Sequence, residues 1–172
     1  MKILLMTFGI FLIVGMMNVY AQDTSNVETY KIAFFSKDAS GGFKKMKGKV
    51  VTNGDSIPTS FDLFIETASI NTGNGMQNKH AISSEWFHSE KYPNIIFQGR
   101  EVVSTGQGFM VSGKLTIAGV TKAVKLPLNI STDESQYVYQ TKFTVDRADY
   151  EFGPKNKVSP SLKIIAKLSI KK

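Results

Sequence analysis

The sequence predicts an all-β fold, with eight antiparallel strands in a sheet closed on itself. Three observations carry this. Apolar and polar residues alternate with period two along most of the chain, which is the signature of strands with one buried face. The alternating runs are joined by short segments rich in Gly, Asn and Asp. A single stretch, Thr72 to Pro93, breaks the pattern.

In chain order, Tyr30, Ile32 and Phe34 alternate with Thr29, Lys31 and Ala33 as a first strand. Gly41-Gly42 reads as a turn, and Phe43 to Val51 as a second strand. Asn53-Gly54-Asp55 is a tight-turn signal. Phe61, Leu63 and Ile65 mark the inward face of a third strand. Ile95 to Val103 forms a fourth, closed by Thr105-Gly106. Phe109, Val111, Gly113, Leu115 and Ile117 share one face of a fifth. Val124, Leu126, Leu128 and Ile130 do so in a sixth, and Tyr137, Tyr139, Thr141, Phe143 and Val145 in a seventh. Leu162, Ile164, Ala166, Leu168 and Ile170 complete an eighth, with Lys163, Lys167 and Lys171 on its other side. Closure removes the edges that an open antiparallel sheet would expose. Eight strands make a barrel just wide enough to fill with side chains or to hold one small ligand. The interruption between the third and fourth strands holds a short helical candidate, Asn78 to Phe87, and is the natural place for a cap or mouth.

The chain has 172 residues, no cysteine and a formal net charge of +7. Lys2, the apolar run Ile3 to Met17, and small Val19 and Ala21 before Gln22 have the three-part layout of a secretory signal. The expected organisation is a signal peptide over 1–21 and one barrel domain over 22–172. The expected location is periplasmic or secreted. Without cysteine there is no lipid attachment to Cys and no disulfide, so the core alone must hold the fold. The basic balance suits anionic partners, and excess lysine also serves solubility.

Little in the sequence points to catalysis. His80 and His88 are too few and too isolated for a metal centre. No Gly-x-Ser-x-Gly elbow occurs. Ser83 and Ser84 near His80 and Glu85 suit helix capping better than a triad. Gly73-Asn74-Gly75 lacks the third glycine and the βαβ setting of a dinucleotide site, and reads as a turn with positive φ. Aromatic and apolar residues are abundant by contrast. They either fill the core or line a hollow bore.

Three blocks resemble one known family. Ala68-Ser69-Ile70-Asn71-Thr72-Gly73-Asn74, then His80, Trp86-Phe87 and Lys91-Tyr92-Pro93-Asn94-Ile95-Ile96-Phe97 resemble the signature of the YceI-like family. Gly113-Lys114-Leu115-Thr116-Ile117-Ala118-Gly119-Val120-Thr121-Lys122 resembles its G-x-L-T-I-x-G-V-T-K stretch. Arg147-Ala148-Asp149-Tyr150 with Phe152-Gly153 resembles its late R-x-D-F-G segment. The blocks keep the family's order and span the chain after Ala21. The resemblance implies an exported, lipocalin-like barrel with a long internal pore that takes an isoprenoid chain, its head group towards the mouth. Two departures stand out. The family's Arg-Asp before the histidine is Gln77-Asn78-Lys79 here, and its I-D-T-G aspartate is Asn71. A lysine lacks the bidentate fork of arginine.

The resulting expectation is a carrier and not an enzyme, holding an isoprenoid or other long-chain amphiphile. The expected apolar lining is Phe34, Phe43, Leu63, Ile65, Trp86, Phe87, Phe97, Leu115, Ile117, Phe143 and Ile164. Ser69, Asn71, Thr72, Gly73, Asn74 and His80 form the signature loop. No metal, cofactor or nucleic acid is expected; transient membrane contact and a homodimer are left open. The alternatives are an exported stress or interaction barrel, a single-stranded nucleic-acid binder of the OB type, and a small-molecule enzyme using the loop around His80.

Overall fold

A computed structural model describes residues 22–53, 56–154 and 158–172. The expected signal peptide, and Gly54-Asp55 of the expected turn, lie outside the described residues. The elements in order are β1 (Asp23–Phe35), β2 (Ser40–Phe43), β3 (Met46–Thr52) and β4 (Pro58–Glu66). A 3-10 turn at Thr67–Ser69 leads to β5 (Ile70–Asn71) and α1 (Gly75–Ile82). Then come β6 (Asn94–Thr105), β7 (Gly108–Ile117), β8 (Val120–Thr132), β9 (Gln136–Asp146), a second 3-10 turn at Arg147–Tyr150, and β10 (Ser161–Lys171).

Pairing is antiparallel throughout and runs β1-β3-β4-β6-β7-β8-β9-β10, with β10 returning to β1. The result is a closed barrel of eight positions, as the alternation predicts, with β2 and β5 as short additions. Two strands serve as corners. The start of β1 pairs with β3 and its later part with β10 and β2. The first part of β8 pairs with β7, and its end, Asn129 to Thr132, with β9.

Inward side chains follow the period. Phe61, Leu63 and Ile65 of β4, Phe97 of β6, Leu115 of β7 and Leu168 of β10 are all buried. A one-residue slip would put these on the solvent face, so burial pins the register.

The expected second strand is broken in two at Lys44-Lys45. There Ser69 reaches across: its carbonyl accepts from Lys44 N, its Oγ accepts from Lys45 N at 3.0 Å and donates to Glu66 O at 2.6 Å. The strand's hydrogen bonds are diverted into the 3-10 turn. Gly41-Gly42 does not turn the chain either. The turn is made upstream, where Ser36 Oγ accepts from Asp38 N and Ala39 N. Both glycines lie in β2, where a Cβ on Gly41 would stand 2.4 Å from Asn71 O; the absent side chain lets β5 approach.

Helix α1 begins and ends earlier than the sequence suggests. Its N-cap is Asn74, whose side chain accepts from Met76 N at 2.9 Å and Gln77 N at 3.1 Å. Gly73 just before it has φ +80°, as the turn reading expects. Ser83 is the C-cap residue, with an extended backbone and its N–H donating to His80 O, so one of the two serines caps the helix, at its C-terminal end. Replacing Asn74 by Ala is expected to cost about 1 kcal/mol. Hydrogen exchange at Met76 and Gln77 should rise while the barrel amides keep their protection.

Candidate ligand-binding site

The barrel is hollow. A cavity of about 720 Å³ runs through it, open at the end where α1 and the β1–β2 turn lie. All eleven side chains of the expected apolar lining border this cavity.

Cross-strand register stacks its wall in layers. On one sheet, Phe34, Ile164 and Phe143 form a layer near the mouth; Ile32, Ala166 and Thr141 form the next; Leu168 and Tyr139 lie deepest. On the facing sheet, Ile65 and Ile95 pair nearer the mouth, then Leu63, Phe97 and Leu115, then Phe61 and Gly99. Ala166 is the small member of its layer, which keeps the bore wide there.

The deep end is aromatic. Phe61 meets Tyr139 edge-on at 5.7 Å and Phe97 at 6.3 Å. The Tyr139 hydroxyl donates to Ser56 O at 2.9 Å. Burial pushes the Tyr139 phenol far above its ordinary pKa, so it stays neutral and adds no charge to the bore.

The mouth is built by the segment that lacks alternation. Phe43 packs on Phe34 at 6.1 Å and on Phe87 at 6.0 Å, and Phe87 stacks on Phe152 at 5.0 Å. Trp86 sits between α1 and the second 3-10 turn, edge-on to His80 at 6.0 Å with the Arg147 guanidinium 5.2 Å from its ring. Polar side chains gather here: Ser36, Asp38, Thr72, Asn74, Gln77 and Ser159 border the opening. Two polar atoms along the cavity, Trp86 Nε1 and Thr141 Oγ1, are buried without a partner.

The signature-loop residues divide into two roles. Thr72, Asn74 and His80 border the mouth. Ser69 pins the β2–β3 break, and Asn71 pairs with Gly42. Gly73 supplies the positive φ. Asn78, at the departure from the family's Arg-Asp, ties the loop down: its Oδ1 accepts from Thr72 N and Thr72 Oγ1, both at 2.8 Å. Lys79 is exposed and Gln77 borders the mouth.

His80 is exposed and 3.8 Å from Glu85. Its side-chain partners among the described residues are Glu85 and the Trp86 ring. Among the described residues no group of three or more His, Cys, Asp or Glu could hold a metal ion.

Other lining residues escaped the sequence reading. Ile32, Val111, Leu126, Leu128 and Tyr139 lie on the faces that alternation assigns inward, and that signal could have found them. Ile70, Arg147 and Phe152 lie in or beside irregular segments, where no period exists. Arg147 is 3 % exposed. Its Nε donates to Ser159 O at 3.0 Å, Nη1 to Phe152 O and Nη2 to Val158 O, both at 2.9 Å. It holds the segment between β9 and β10 against the mouth. Gly153, with φ +71°, leaves the space this needs: a Cβ there would stand 2.8 Å from Arg147 Nη1.

Known proteins share this architecture. The crystal structure of BcnA from Burkholderia cenocepacia superposes with a TM-score of 0.76 at 24% identity, covering 81% of this chain and 95% of that one. A polyisoprenoid binding domain from Saccharophagus degradans, implicated in plant cell wall breakdown, superposes with a TM-score of 0.66 at 16% identity, covering 86% and 97%. Among curated relatives, a UPF0312 protein of Serratia proteamaculans is 36% identical over 90 residues, 52% of this chain and 44% of that protein. Another from Photorhabdus laumondii is 42% identical over 62 residues, 36% and 32% of the two chains. These matches therefore span less than half the length of the curated relatives. Residues 19–170 match the YceI-like domain, and with the barrel and its signature loop in place the chain belongs to the YceI-like family.

Proposed function

We propose that this protein is an exported carrier that shelters one long apolar chain, an isoprenoid or similar amphiphile, with its head group at the mouth. The observation that carries the reading is the 720 Å³ bore, lined by apolar side chains and bordered by polar ones at its open end. That volume lies in the range of small-molecule sites. An apolar chain gains ~25 cal/mol for each Å² removed from water, so a tail binds here without specific chemistry. The polar rim suits a group that stays near water. The polyisoprenoid-binding neighbour supports the choice of chain, and the apolar N-terminal run supports export.

Solvent extraction of the purified protein should release a lipid identifiable by mass spectrometry. The emptied protein should then take up a polyprenyl chain. No extracted lipid together with no uptake would defeat the reading. The carrier needs no reactive group, so His80→Ala is expected to change chain affinity by less than about twofold, roughly 0.4 kcal/mol. A loss of turnover of any small molecule in that variant would point to an enzyme instead.

A further inference from the structure

Register across β10 brings together, on the outside of the barrel, residues far apart in sequence. Lys167 of β10 lies directly opposite Lys31 of β1. One step towards the mouth, Ile165 lies opposite Lys142 of β9; one step further, Lys163 lies opposite Phe35 of β1. The remaining members of these three rows are Gln140, Ala33 and Thr144, so the face carries four lysines and no acid. All four lysines are exposed. Among the described residues the ion pairs are Lys45–Glu66, His80–Glu85 and Arg100–Asp62, and none involves this face. Asp146, further along β9, is engaged in capping the 3-10 turn through Ala148 N.

Neither stability nor edge protection explains the arrangement. Like charges directly opposite in a sheet are destabilising. Lysines that blunt a sheet edge belong on edge strands, whereas β10 is paired on both sides. Apolar residues lie among the lysines: Ile165 is half-buried in the middle row, and Phe35 is 45 % exposed at the mouth end. Phe35 directly follows Phe34, which lines the bore.

We infer that the β9–β10–β1 face docks on an anionic lipid bilayer, the lysines meeting head groups and Phe35 entering the interface beside the mouth. The charge of the face complements such a surface. Nucleic acid is the poorer fit, because only one aromatic side chain is offered for base stacking. The choice of a bilayer rests in part on the carrier reading, since a water-insoluble chain must be collected from or delivered to a membrane.

The test uses residues 22–172, which carry every element among the described residues, so that the apolar N-terminal run does not itself bind lipid. Co-sedimentation with phosphatidylglycerol–phosphatidylcholine vesicles should show binding at low salt that is lost at about 0.5 M salt; phosphatidylcholine vesicles should show none. Each lysine near an anionic surface contributes about fivefold. Lys31→Glu with Lys142→Glu should therefore weaken binding at least about 25-fold. Lys114→Glu with Lys125→Glu, the same change of charge on β7 and β8, should weaken it about fivefold or less. Circular dichroism should show both pairs folded. Equal loss in the two pairs, no binding to anionic vesicles, or binding of a single-stranded oligonucleotide through Lys31 and Lys142 with vesicles ignored would each overturn the inference. Polyprenyl uptake is measured separately, without vesicles. Retained uptake in the Lys31/Lys142 variant supports a docking role distinct from the bore. Failed uptake by the wild type with vesicle binding intact removes the carrier reading and leaves the docking face standing.

Discussion

Ala166→Trp is expected to weaken binding of a long apolar chain roughly 100-fold while the barrel stays folded. Ala166 occupies the middle layer of the bore, between Ile32 of β1 and Thr141 of β9. It borders the cavity, and its small side chain leaves the channel open there. An indole at this position would fill the bore below the Phe34 layer. Displacing about 120 Å² of buried chain at ~25 cal/mol per Å² costs about 3 kcal/mol, a loss of roughly 100-fold in affinity. Overpacking a full core costs typically about 1–3 kcal/mol, but here the added volume enters empty space. The melting temperature should therefore move by no more than about 5 °C. Titration with a polyprenyl chain and a thermal melt on the same preparation check both halves. Ala166→Val should give a small fraction of the binding effect. Wild-type affinity in the tryptophan variant would mean that the chain does not pass this layer.

Arg147→Met is expected to give the largest loss of stability. The guanidinium is buried, and burial holds its pKa below the ordinary arginine value, opposed by Asp146 and Asp38. Its donors satisfy the carbonyls of Phe152, Val158 and Ser159, and its own N–H donates to Pro160 O at 2.8 Å. Methionine keeps the apolar stem and leaves three carbonyls without these donors. Each buried unsatisfied group costs about 1–3 kcal/mol, not additively, so the expected total is about 3–5 kcal/mol. For a domain of this size that lowers the melting temperature by roughly 10–15 °C. Arg147→Lys should recover little, because one ammonium cannot span three carbonyls in a fixed plane. Denaturant unfolding measures the difference; a loss below about 1 kcal/mol would show that the segment is held by its other contacts. Trp86 fluorescence should also shift, because the guanidinium lies over its ring.

Arg147 illustrates where sequence reading stops. Its partners are backbone carbonyls of the chain ahead of it, and backbone carbonyls carry no residue identity. The β2–β3 break at Lys44-Lys45 has a local mark, two consecutive exposed lysines that shift the alternation by one residue, but the partner that diverts the strand there, Ser69, is more than 20 residues away. Gly41 and Gly42 misled because a glycine pair signals a turn when read locally, whereas here it admits a neighbouring strand.

By itself the sequence located most of the strands and grouped the residues of each by face, because side-chain direction in a strand repeats every two residues and needs no distant partner; closure of the barrel decided which face turns inward. That local rule also picked out most of the bore. Tertiary structure alone decided that the barrel is hollow. Empty volume is set by how eight strands pack together and by small residues such as Ala166 at particular depths, and no segment specifies it alone. It also decided which outer lysines become neighbours. Lys31 and Lys167 are separated by nearly the whole chain, and only closure of β1 on β10 places them face to face.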